Sequence, residues 1–228
     1  MNKNTNTKHK SIFTSVIFDF DYTLADSSAG EVECVTYALQ TMKLPQASDA
    51  AIQATIGLSL QETFRGLTQG AYEKMSDDFV KLFIERADEI MLDNIVLFDS
   101  VKPTIEQLIT RGLTIGIVST KYRYRIEAFL RREEIDDAFK VIVGGEDVNA
   151  HKPDPAGLRM AFSKLGLTSS RHCIYVGDSV VDAETANRAD VPFVAVLSGV
   201  TSKSAFSDYF PLAVIENLTQ LTPILLQD

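Results

Sequence analysis

Two carboxylates, Asp19 and Asp21, stand one residue apart directly after the apolar run Val16-Ile17-Phe18. Acids are ordinarily solvated, so a pair at the mouth of a buried strand calls for a ligand that offsets their desolvation. An Asp-x-Asp pair alone is common in loops. Its weight here comes from three further polar clusters that each follow an apolar run: Ser119-Thr120-Lys121, His151-Lys152-Pro153-Asp154-Pro155, and Gly177-Asp178-Ser179 with Asp182. Carboxylates without Cys or His at ligand spacing suit a hard divalent cation, for which Mg²⁺ is the usual choice. The same acids repel an anionic substrate unless a basic group joins them, and Lys152 supplies it. The Ser119 hydroxyl, or Thr120 beside it, can hold a further oxygen together with nearby backbone N–H groups. A cation, Lys152 and Ser119 would clamp a phosphoryl group from different sides. One carboxylate can then attack phosphorus in line to form an aspartyl-phosphate, while a second protonates the leaving oxygen and later activates water.

Strand ends must bring these clusters together. Five short runs rich in β-branched residues read as strands: Ser15–Phe20, Thr114–Ser119, Val141–Gly144, Cys173–Val176 and Phe193–Leu197. Each is nearly continuous in apolar residues, as in a parallel sheet covered on both faces. Helical patterns separate them. Val101–Arg111 carries Pro103 near its start and Gly112 past its end, and Asp154–Leu165 carries Pro155 and stops at Gly166. Arg123–Arg132 and Val180–Ala189 fill the other crossovers. The fold class is therefore α/β, a doubly wound parallel sheet, with ligands expected at the carboxyl ends of its strands.

The roughly 90 residues between Phe20 and Thr114 exceed a single crossover. They read as an inserted all-helical domain, residues 26–97, within an α/β core of residues 15–25 and 98–228. Gly30–Lys43, Ala47–Ile56, Leu60–Leu67 and Ser76–Asn94 are its candidate helices. Ser28 with Glu31, and Ser59 with Glu62, have capping-box spacing. The insert holds twelve acids and five bases. Residues 1–14 read as a polar tail with no apolar segment of signal-peptide length after it.

The four ordered motifs resemble those of the haloacid dehalogenase superfamily. Asp19-x-Asp21-x-Thr23 matches its first motif, Ser119 its second, Lys152 its third and Gly177-Asp178-x-x-x-Asp182 its fourth. The insert resembles the small helical cap of the phosphoglycolate phosphatase and β-phosphoglucomutase group. That resemblance implies Asp19 as nucleophile and Asp21 as general acid/base. It implies Mg²⁺ held by Asp19, the Asp21 backbone carbonyl and Asp178, with Asp182 as a further ligand or an orienter of Lys152. Gly57 and Leu58, in Ile56–Leu60, resemble the cap loop that touches substrate; a plain helix–helix turn closed by Ser59 is the alternative. Asp21 also separates branches of the family, because a departing halide needs no proton. A Mg²⁺-dependent phosphatase acting on a small phosphorylated metabolite, such as a phosphoglycolate- or pyrophosphate-like ester, is the function implied. A sugar-phosphate mutase and a non-catalytic binding protein are the alternatives.

Other features narrow the class. A formal charge of −9 disfavours nucleic acid and anionic membranes as partners. No apolar run approaches the ~20 residues of a membrane helix. Cys34 and Cys173 read as buried free thiols, which fits a reducing cytoplasm. A monomer is expected. Lys121-Tyr122-Arg123-Tyr124-Arg125 reads as a solvated helix surface, with substrate contact as the alternative. Asp178 can also cap the helix that follows it.

Overall fold

The computed structural model describes residues 13–167 and 169–225, so most of the expected N-terminal tail lies outside the described residues. In chain order the elements begin with β1 (Ser15–Phe18) and β2 (Ala25–Asp26). Four helices follow: α1 (Ser28–Thr41), α2 (Asp49–Gln53), α3 (Leu60–Thr68) and α4 (Ser76–Ile90). The chain returns through β3 (Val96–Leu97) to α5 (Val101–Thr110), β4 (Thr114–Val118), α6 (Arg123–Arg132) and β5 (Phe139–Val143). It closes with α7 (Ala156–Leu165), β6 (Cys173–Gly177), α8 (Val180–Ala189), β7 (Phe193–Val196), β8 (Ala213–Ile215) and α9 (Leu221–Leu225).

Six strands form one parallel sheet in the order β5-β4-β1-β6-β7-β8. The expected doubly wound α/β fold is the observed one. β1 lies in the middle, where Val16 faces Ile115 on one side and Ile174 on the other. The strand order reverses at β1, and a reversal of this kind leaves a crevice at the carboxyl end. The pleat sorts the residues by face. Val16, Phe18, Ile115 and Val176 pack with Val101, Ile105 and Phe129 of α5 and α6. Ile17, Val143 and Tyr175 pack with Leu158 and Ala183 of α7 and α8.

Between β2 and β3 the chain is helical, as expected. Phe64 stacks on Phe79 at 4.8 Å between ring centroids, joining α3 to α4. Ser59 and Glu62 form the expected capping box at α3. The box expected of Ser28 and Glu31 does not form: Ser27 takes the N-cap position of α1, without a side-chain cap bond. Stronger partners claim these groups. The Ser27 hydroxyl donates to Asp21, and the Glu31 carboxylate pairs with an ammonium. β2 and β3 pair antiparallel over two residues each, Ala25 with Leu97 and Asp26 with Val96, where the chain leaves and rejoins the α/β core. Such short strands carry no readable periodicity, and neither they nor β8 and α9 were expected from sequence.

Phe20, buried between the two acids of the first motif, meets Phe129 of α6 edge-on at 5.4 Å. Phe129→Ala is expected to lower stability by about 3–5 kcal/mol in urea denaturation, since a fully buried ring leaves a cavity. A loss below about 1 kcal/mol would contradict this account of the core.

Candidate active site

The chain turns sharply after β1. The Phe20 carbonyl accepts from the N–H groups of Thr23, Leu24 and Ala25 at 3.2, 2.9 and 3.2 Å. Tyr22 takes a left-handed conformation, φ +58°, which a non-glycine residue adopts only when its surroundings enforce it. The Ser198 hydroxyl supplies part of that enforcement by donating to the Tyr22 carbonyl at 2.5 Å. Asp19 and Asp21 project from this turn, and both are buried.

Asp19, Asp178 and Asp182 each offer a carboxylate oxygen within 4.8 Å of the others. Asp19 Oδ1 is buried without a hydrogen-bond donor. Its close partner is the Lys152 ammonium, with Nζ 2.8 Å away as an ion pair. Burial, reinforced by the Asp182 charge, pushes the Asp19 carboxyl up to about 7 despite Lys152. Burial with the Asp182 and Asp19 charges likewise holds Asp178 well above the usual carboxylate range. A Cβ on Gly199 would fall 2.0 Å from Asp178 Oδ2, so only glycine leaves that oxygen clear. An orphaned buried oxygen, an unobstructed carboxylate and an all-oxygen donor set fit a hard divalent cation.

Asp182 differs from its two neighbours. Its Oδ1 accepts from Lys152 Nζ at 2.6 Å and from the Tyr175 hydroxyl at 2.9 Å. Its Oδ2 accepts from the N–H and hydroxyl of Ser179 at 3.2 and 2.5 Å, in the capping box that starts α8. The cap of α8 is thus Ser179 and not Asp178; Asp178 accepts from Thr23 Oγ1 at 3.4 Å. Burial pulls the Lys152 ammonium down, but Asp182 and Asp19 outweigh it and leave the net shift upward.

A second ammonium stands on the other side of the turn. Lys121 Nζ is 3.2 Å from Asp21 Oδ1 and 2.8 Å from Glu31 Oε1 on α1. Asp21 Oδ1 also accepts from Ser27 Oγ at 2.5 Å. The reading of residues 121–125 as a solvated surface is corrected for Lys121 and Arg125, which are both buried. Arg125 donates to Asp88 on α4 at 2.7 Å, and Tyr124 to the same oxygen at 2.5 Å. Helical spacing cannot register that another helical layer covers this face. Glu31 is the site residue that sequence reasoning missed; its only signal was an acid in the first turn of a helix next to the first motif.

The family model for haloacid dehalogenase-like hydrolases matches residues 16–196. The chain belongs to the haloacid dehalogenase-like hydrolase family. It is 32% identical to a phosphoglycolate phosphatase of Yersinia pestis, with 91% of each chain covered. It is 28% identical to the phosphoglycolate phosphatase of Escherichia coli K12, covering 92% of this chain and 91% of the relative. A haloacid dehalogenase-like hydrolase from Bacteroides fragilis superposes with a TM-score of 0.88 at 43% identity, covering 92% of this chain and 99% of the other.

On this haloacid dehalogenase-like fold, Asp19 and Asp21 follow β1, Ser119 and Thr120 follow β4, Lys152 comes from the β5–α7 loop, Asp178 follows β6, Asp182 stands in the first turn of α8, and Gly57 and Leu58 come from the insert between α2 and α3. Ser119 N–H donates to the Val143 carbonyl at 3.0 Å, and Ser119 Oγ accepts from Lys121 N–H at 3.2 Å. Thr120 Oγ1 donates to the Gly57 carbonyl at 3.1 Å, bringing the Ile56–Leu60 break down to the β4 end. Gly57, Leu58, Thr120, Lys121 and Asp21 line one cavity of about 40 Å³. That is room for a few water molecules.

The elevated Asp19 carboxyl has a consequence for stability. Its folded form binds the proton more tightly than the ordinary value of 3.8, so the fold gains from Asp19 only while it is protonated. The gain is full below pH 3.8 and lost as pH rises through about 7. In metal-free buffer, Asp19→Asn is expected to raise the melting temperature at pH 8 by on the order of 5 °C, and by much less at pH 4. A difference that does not widen with pH would refute this electrostatic account.

Proposed function

We propose that this chain is a Mg²⁺-dependent phosphatase that hydrolyses a small phosphorylated metabolite through an aspartyl-phosphate on Asp19. The observation that carries the reading is the Asp19 carboxylate. Its Oδ1 is buried, lacks a hydrogen-bond donor and lies at the focus of Lys152 and the Asp178–Asp182 pair. Asp19 attacks phosphorus in line, and the P–O bond to the leaving group breaks. Asp21 gives its proton to the departing oxygen, then takes one from the water that hydrolyses the phosphoenzyme. Lys152 and the Ser119 hydroxyl hold the phosphoryl oxygens. Asp19, the Asp21 carbonyl and Asp178 would hold Mg²⁺, which offsets the negative charge of acids and phosphate together. Asp182 serves by holding Lys152, because protein donors already engage both of its oxygens.

Residues 26–97 act as a cap over a core of residues 15–25 and 98–228. Gly57, Leu58 and Thr120 face the leaving group. The cavity of about 40 Å³ is too small for a phosphate ester, so the cap opens for substrate to enter, turning at the β2–β3 ribbon. The relatives named phosphoglycolate phosphatase favour a short acidic ester as substrate. A monomer working in the cytoplasm suits two buried free thiols.

Release of p-nitrophenol from its phosphate ester, and of phosphate from 2-phosphoglycolate and a metabolite panel, tests this. Wild-type turnover should require Mg²⁺ and vanish with EDTA. Asp19→Asn should abolish it, and Asp21→Asn should lower kcat by about 10²–10⁴-fold. Turnover that survives Asp19→Asn and EDTA would sink the proposal.

A further inference from the structure

Lys121 and Glu31 fall outside the four sequence motifs, yet they form the most heavily charged contact between the helical insert and the core. The Lys121 side chain is 4% exposed and that of Glu31 14%. A buried ammonium between two carboxylates is a costly way to join two layers. Apolar residues of similar volume would do so at equal or better stability. A role beyond cohesion is therefore needed, and the geometry points to it. Lys121 Nζ, at 3.2 Å, and Ser27 Oγ, at 2.5 Å, both engage Asp21 through Oδ1. Both approaches fall on the same oxygen, so Asp21 is held through Oδ1.

We propose that Lys121 and Glu31 are positioning residues for proton transfer, aligning Asp21 for its acid step; the proposal rests on the phosphatase reading above. Glu31 contacts Lys121 at 2.8 Å and not Asp21, so it acts through the ammonium. Glu31 lies in the first turn of α1, one helical turn after the Ser27 cap, so a single turn of the insert supplies the Ser27 hold on Asp21 and the carboxylate that fixes the core's Lys121. When the insert closes, Glu31 arrives at Lys121 and fixes its ammonium against Asp21. When it opens, Lys121 loses one of its two carboxylates and Asp21 its alignment. The acid is thus set only when the insert shields the crevice from water. In the aligned step, the Asp21 proton passes to the bridging oxygen. The P–O bond breaks as the bond from Asp19 to phosphorus forms, and the leaving group departs as a neutral alcohol.

The test uses leaving groups that differ in their need for that proton. p-Nitrophenolate departs without protonation, whereas an alkoxide does not. kcat/KM reports steps only through phosphorylation of Asp19, so it isolates the acid step. Glu31→Gln and Lys121→Met are expected to lower kcat/KM for the best alkyl phosphate of the panel by roughly 30-fold, short of the about 10²–10⁴-fold lost when the acid itself is removed. The loss with p-nitrophenyl phosphate should stay near about 3-fold. Lys121→Arg should recover part of the alkyl activity. If Lys121→Met does not fold, the double variant Lys121→Met/Glu31→Gln, which also removes the unpaired Glu31 charge, carries the comparison beside Glu31→Gln. Equal losses on both esters, or parent activity confined to the aryl ester, would overturn the inference and leave the phosphatase reading standing. A parent enzyme inactive on every ester would remove both.

Discussion

Five carboxylates and two ammonium groups share a space from which water is nearly excluded. Asp19, Asp21, Asp178, Asp182 and Glu31 converge on the end of β1, and Lys121 and Lys152 pair directly with them. Burial in a low-dielectric interior is the largest cost to these acids, and the surplus of like charge adds to it. The site answers it with two similar arrangements. Lys152 lies between Asp19 and Asp182, and Lys121 between Asp21 and Glu31. Each ammonium joins one acid of the β1 turn to one acid from elsewhere. The uncompensated charge collects around Asp19 and Asp178, where both carboxyls are held above their ordinary range.

Much of the local structure exists to hold these charges in register. The fully buried β1, flanked by β4 and β6, fixes the turn that carries both acids. The Tyr175 hydroxyl on β6 reaches past β1 and shares its single proton between the Val118 carbonyl at the end of β4, at 3.1 Å, and Asp182, at 2.9 Å. The sheet backbone and the Lys152 contact are therefore linked through a single hydroxyl. The Ser198–Gly199 segment braces the Tyr22 carbonyl and keeps Asp178 clear. Ser179 and Asp182 make the cap of α8 and the Lys152 contact with the same carboxylate, so helix start and site geometry are inseparable.

How legible this was depended on distance along the chain. The sheet and its crossover helices were readable because buried parallel strands are continuous apolar runs; α6 and α8 fall where their patterns placed them. Asp19, Asp21 and Asp178 were readable because each follows such a run, Asp182 by its spacing from Asp178, and Lys152 by its Lys-Pro-Asp-Pro setting in the loop after β5. The insert's contacts with the core were not. Glu31 and Lys121 are 90 residues apart, and each alone looks like an ordinary charged residue near a helix start. The pairing of β2 with β3 was hidden for the same reason, since two residues show no alternation. The Ser28–Glu31 box failed because a local rule compares a cap only with solvent, whereas here an ammonium competed for the acid.

That competition also bears on how the insert rests on the core. Its own interior is apolar, built on Phe64, Phe79 and Phe83. Many of its ties to the β4 end and α6 are polar: Glu31 to Lys121, Gly57 to Thr120, Asp88 to Tyr124 and Arg125, and the Leu92 and Ile95 carbonyls to Arg132. Polar ties can exchange protein partners for water, so a neutral one contributes about 0.5–1.5 kcal/mol net and one to a charged group about 1.5–3 kcal/mol. Apolar contact joins the two as well, because Phe64, Phe79 and Phe83 belong to one continuous cluster with Phe18, Phe20 and Phe129 of the core. The opening proposed above therefore has to expose apolar surface besides exchanging polar ties for water. Lys121 then keeps Asp21 as its one carboxylate partner, while Asp21 loses the ammonium's second anchor on Glu31.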